Sequence, residues 1–173
     1  MNEIQEAVSR VISSDVYKEW LKENQDSYLA CLILTLQSDK GWEISFYSRP
    51  KNRMTTFSTD PVAIVDKDSE VFKKDETKVE ELEVDCLFFT FDQVQDIVDK
   101  AIEDLVKNDR VVKEILVLQK IKYNMWNIIC ITEKMTLVNI RIDAVTGKFL
   151  KKEATHAFSM VDKERTTARG SRS

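Results

Sequence analysis

The residues of this chain best suited to chemistry are few and scattered. His156 is its only histidine. That excludes an HExxH zinc helix and makes any Ser-His-Asp or Cys-His pair depend on one residue near a strand end. Cys31, Cys86 and Cys130 lie far apart, each in an apolar stretch. Odd in number and sparse, they read as free, buried thiols and lack the paired spacing of structural zinc. Asp66, Asp68 and Glu70 alternate like the start of a calcium loop, but the glycine and distal glutamate of such a loop are missing, so the segment reads as a solvated turn. Asp85, Asp92 and Asp96 carry carboxylates for acid–base work, although their setting suits a linker and a solvated helix face. Arg49, Lys51 and Arg53, interleaved with Phe46, Tyr47 and Phe57, resemble a single-strand stacking patch; the acids nearby favour a hairpin tip. Gly41, Gly147 and Gly170 are the only glycines, too few for a P-loop or a dinucleotide fingerprint. The expectation is a non-enzyme with no catalytic, cofactor-binding or metal-binding residues and no cofactor.

Composition narrows the partners. With 43% hydrophobic and 32% charged residues, the chain can build a core, so disorder is not the default. Its net charge of -4 provides no basic field for nucleic acid or an anionic membrane. No apolar run nears the ~20 residues of a membrane span, and MNEIQEAVSR has no secretory apolar segment. A cytoplasmic protein is expected.

These side chains must be positioned by helices and strands legible from periodicity. Ile4, Ala7, Val8, Val11 and Ile12 form an amphipathic stripe, predicting a helix that runs to about Trp20. Residues 28 to 36 (YLACLILTL) read as a buried strand, turning at Ser38 to Gly41 into a second strand from Trp42 to Tyr47. Short strands follow at Met54 to Phe57 and Val62 to Val65, with a turn at Asp66 to Ser69. Charge dominates Asp75 to Glu83, the predicted linker. Thr90 and Gln93 then form a capping box, with Phe89 stapling onto Val94, and a helix carries Val94, Ile97, Val98, Ala101, Ile102 and Leu105. Strands are predicted at about 112 to 121, 125 to 132, 137 to 143 and 148 to 154.

The two halves share a register. Ile4 to Ile12 matches Val94 to Ile102 at an offset of 90, Trp42 matches Trp126 at an offset of 84 with Leu32 on Leu116 and Leu34 on Leu118, and Phe72-Lys73-Lys74 parallels Leu150-Lys151-Lys152. The expected fold class is α+β, with two tandem helix-plus-antiparallel-sheet units. The first covers 1–78, a charged linker or connecting strand 79–87, the second unit 88–158 and a tail 159–173. Trp42 and Trp126 are the expected core residues, each against its unit's helix.

Phe91 to Ala154 resembles the PepSY domain, a cystatin-like helix-and-sheet family associated with peptidase propeptides. The resemblance rests on the helix, on Trp126-Asn127-Ile128-Ile129 and on Ile140 to Leu150, where Asp143-Ala144-Val145-Thr146-Gly147 stands at the family's closing turn. In the first half, Asp66 to Glu70 occupies the corresponding place without a glycine. The resemblance implies a non-catalytic interaction or regulatory module that binds protein, with peptidases as one class of partner. Independently, Asp143 and Thr146 suit a structural turn, and Gly147 supplies its positive φ. The alternative is a small-molecule binding protein with a cavity between helix and curved sheet. Residues 28 to 36 and 125 to 132 are apolar on both faces. Two sheets packed face to face, or a homodimer burying Ile33, Ile129 and Ile131, are therefore expected.

Overall fold

The computed structural model describes residues 2–71, 78–87, 89–157 and 159. Helix α1 spans Glu3–Ile12, and Asn2 and Gln5 close a reciprocal capping box at its start. The single helix expected to reach Trp20 is interrupted. Ser14 accepts the Tyr17 N–H at 3.2 Å and donates to the Val11 carbonyl at 2.6 Å, capping a second helix α2, Asp15–Lys22. Serine diverts backbone partners in this way, and the break turns Tyr17 and Trp20 into the core.

Four strands follow: β1 (Ser27–Thr35), β2 (Trp42–Ser48), β3 (Arg53–Thr59) and β4 (Val62–Glu70). The turn expected at Asp66 to Ser69 is instead part of β4, which is kinked by register shifts opposite Met54, Thr56 and Phe57. Asp68 takes a φ of 51° there and donates its N–H to Thr55 Oγ1 at 3.2 Å, so a side chain replaces a ladder partner.

Helix α3 (Phe91–Leu105) begins at a Thr90–Gln93 capping box, and β5 (Val111–Lys120), β6 (Asn124–Thr132), β7 (Thr136–Asp143) and β8 (Phe149–His156) complete the chain. All eight strands belong to one antiparallel sheet in the order β4-β3-β2-β1-β5-β6-β7-β8. This overturns the expectation of two tandem helix-plus-sheet units. The first strands of the two halves pair with each other, Leu32 opposite Leu118, Ile33 opposite Val117 and Leu34 opposite Leu116. A lone four-stranded sheet would leave β1 or β5 as a long apolar edge, and pairing them removes both edges. Face-to-face packing of two sheets is excluded by the same joint.

One core serves the whole sheet. Rows of side chains run across it, Phe57, Ile44, Leu32, Leu118, Trp126 and Ile142 being neighbours from strand to strand. All six are essentially inaccessible to solvent. Ile4, Ala7 and Val11 of α1 and Val94, Val98 and Ala101 of α3 cover this face. Full burial of each large apolar side chain contributes about 1.5–3 kcal/mol, more than any local propensity in these short helices.

The charged segment ahead of α3 is docked. Leu82 is buried and its N–H reaches Leu29 O at 2.9 Å, Tyr28 Oη donates to Val79 O at 2.6 Å, and Asn124 Nδ2 to Glu83 O at 3.3 Å. A single 3-10 turn, Val84–Cys86, leads to α3. Phe72-Lys73-Lys74, part of the predicted linker and most of the tail lie outside the described residues.

Candidate interaction surface

The turn after β7 is held by one carboxylate. Asp143 Oδ1 accepts the N–H groups of Val145 and Thr146, each at 2.8 Å, while Gly147 N–H returns to Asp143 O at 2.8 Å. Burial alone would raise the Asp143 carboxyl, but the bonds from Thr146 and Val145 outweigh it and hold the group below its ordinary value. Gly147 has a φ of +71°, and a Cβ there would lie 2.6 Å from Phe89 Cζ. These residues position a loop and present no reacting group.

The other residues with chemical potential are dispersed. His156 is exposed at the end of β8. Asp85 accepts from Gln5 Nε2 at 3.0 Å, away from Asp92 and Asp96 on α3, and Asp66, Asp68 and Glu70 lie along β4. Among the described residues no three histidine, cysteine, aspartate or glutamate side chains are placed to hold a metal ion. The basic and aromatic patch is split by strand alternation. Phe46 and Phe57 enter the core, whereas Tyr47 points to the opposite face and Arg53 pairs with Glu70 at 3.3 Å.

The thiols are free but not all buried, since Cys86 is exposed beside Glu83. Its hydrogen bond to that carboxylate raises its pKa. Burial raises that of Cys31. Burial first, and then the Glu114 and Asp99 carboxylates, push Cys130 up to about 12. None is poised as a thiolate nucleophile.

Glu114 is a polar residue that sequence reading passed over. It faces the core beneath α3, 5% exposed, where Gln95 Nε2 bridges Glu114 Oε1 at 3.2 Å and Asp99 Oδ1 at 3.0 Å. Burial raises its carboxyl, opposed by the Gln95 bond and assisted by Asp99.

A further feature is the face of the sheet opposite the helices. Among the described residues no helix packs on it. Alternation from the buried Leu32, Leu116, Leu118, Ile128 and Ile140 places Ile33, Ile115, Val117, Ile129, Ile131 and Leu137 there as a half-buried apolar band. Polar residues break the band: Glu43 on β2, and Asn127, Asn139 and Arg141 on β6 and β7. Arg141 Nε and the Oδ1 atoms of Asn127 and Asn139 are buried without a hydrogen-bond partner among the described residues. The sequence signal was present, because these residues alternate with apolar ones along β6 and β7.

At the end of this face, Tyr28, Tyr47, Arg49, Lys78, Glu80 and Lys120 line a groove of about 550 Å³ beneath the 78–83 segment. Arg49 lies 5.6 Å over the Tyr28 ring and Lys120 pairs with Glu83 at 3.1 Å, so both of these cations are engaged within the groove. A smaller groove of about 330 Å³ lies between α2 and β4. Between helices and sheet the space is filled by Ile4, Val11, Val98 and Trp126, each 0% exposed.

No family model matches the chain, and no curated protein matches it. A crystal structure of a "putative lipoprotein" from Clostridium difficile 630 is similar in fold, with a TM-score of 0.52 and 17% identity over 82% of this chain and 91% of that one. At that identity the likeness concerns the fold alone. Among the described residues no helix is long and apolar enough to cross a membrane.

Proposed function

We propose that the chain is a non-catalytic protein-interaction module whose contact surface is the helix-free face of the sheet. The observation that carries this reading is the half-buried band of Ile33, Val117, Ile129 and Ile131, interrupted by Asn127, Asn139 and Arg141, whose buried Oδ1, Oδ1 and Nε atoms have no hydrogen-bond partner among the described residues. An apolar patch with unmatched polar atoms is the chemistry of a surface completed by another macromolecule. The raised thiols and the dispersed carboxylates support the absence of catalysis. The PepSY resemblance of Phe91 to Ala154 belongs to the same proposal, with a peptidase as one class of partner.

The test compares proteins retained from the native host by the immobilised wild-type chain and by Ile129→Lys, matched for thermal unfolding. Proteins held by the wild type and lost by the variant are expected. Retention indifferent to Ile129, or hydrolysis of ester or peptide substrates abolished by His156→Ala, would overturn the reading.

A further inference from the structure

The cross-strand register gives the uncovered face a directional charge pattern. One row reads Glu43, Ile33, Val117, Asn127, Arg141, each residue the direct neighbour of the next on β2, β1, β5, β6 and β7. Val117 is its midpoint. Glu43 stands two strands to one side and Arg141 two strands to the other, about 10 Å each way at the usual strand spacing. Neither side chain forms an ion pair or a hydrogen bond among the described residues, and Arg141 Nε is buried. An acid and a base equidistant from an apolar centre make the charged ends of the row self-complementary, while the inner positions, Ile33 and Asn127, lie one strand to either side of Val117 and face each other under the same symmetry.

Resting on the reading of this face as an interaction surface, we infer that its partner is a second copy of the chain. The copies are related by a two-fold axis parallel to the strands over Val117. That operation brings Val117 onto Val117 and sets Glu43 of each copy against Arg141 of the other. Face-packed sheets sit about 10 Å apart with strands within about 30° of each other, a gap that an arginine and a glutamate span together. Both ion pairs then form at the margins of an apolar centre built from Ile33, Ile115, Val117 and Ile129, an isologous arrangement. Five strands by seven residues cover roughly 24 Å by 24 Å. Roughened by side chains, such a footprint approaches the ~800 Å² per partner of a standard interface.

The full chain is examined by sedimentation velocity across a concentration series, with Glu43→Arg, Arg141→Glu and the double variant alongside. The substituted residues have no side-chain ion pair or hydrogen bond to lose among the described residues, and circular dichroism verifies folding. The wild type is expected to dimerise, each single reversal to weaken the dimer by about tenfold or more through two like-charge contacts, and the double reversal to restore it. A wild-type monomer at about 100 μM, well above the dissociation constant of a stable dimer, overturns the inference. So do single reversals without effect, or a double variant as weak as the singles. A monomer that still loses host proteins on Ile129→Lys rejects the second copy and leaves the interaction surface standing.

Discussion

The indole rings of Trp42 and Trp126 lie with centroids 6.3 Å apart and planes tilted by 54°. Trp42 also meets Phe91 of α3 edge-on at 5.6 Å and donates from Nε1 to Glu3 of α1 at 3.1 Å. Trp42 thus ties α1 and α3 to the core it shares with Trp126, where the sequence pattern predicts each tryptophan against its own unit's helix.

Truncating either tryptophan to alanine is expected to cost ~3–5 kcal/mol through the cavity left behind. Both variants should lower the midpoint of one cooperative unfolding transition, because the core is shared. Conversion to phenylalanine should separate the two sites. Trp42→Phe loses the bond to Glu3, whereas Trp126 Nε1 is buried without a partner among the described residues, and its removal relieves an unmet donor. Denaturant melts of the four variants measure this; two separate transitions in the wild type would contradict a single core.

Gly147→Val should destabilise the protein by about 2 kcal/mol or more, since a β-branched residue resists positive φ and its Cβ would meet Phe89. Adding Phe89→Ala should recover the steric share and leave the backbone share. Wild-type stability in Gly147→Val would remove the turn's structural role.

Stability should fall as pH rises past the ordinary glutamate range, because Glu114 has a raised pKa in the fold. Its protonated form is favoured when folded, so that contribution is complete below the unfolded pKa and is lost through the folded one. Glu114→Gln keeps an acceptor for Gln95 and is expected to gain about 1 kcal/mol at neutral pH and nothing in acid. Asp143 works in the opposite sense. Its lowered pKa contributes stability above the unfolded value that is lost as pH falls through the folded one. Thermal melts from pH 3 to 8 on Glu114→Gln and Asp143→Ala separate the two, and an unchanged pH profile in either variant would refute its assignment.

Local chemistry was legible without the structure wherever neighbours in sequence decide the outcome. The capping box of Thr90 and Gln93, the Asp143 to Gly147 turn and the stripe of α3 depend on contacts a few residues apart, and each could be read from residue type and spacing. The break at Ser14 is equally local, but a serine within a helical stripe is ambiguous until Tyr17 and Trp20 have somewhere to pack. Tertiary structure alone decided that β1 pairs with β5. Strand patterning states which face is apolar but not which edge seeks a partner, and Leu32 beside Leu118 satisfies the same pattern as two separate sheets would. The apolar residues on both faces of β1 and β6 were visible from the start. Which face the helices would take, and hence that Ile33, Val117, Glu43 and Arg141 share the uncovered one, followed only once the eight strands were laid in a single register.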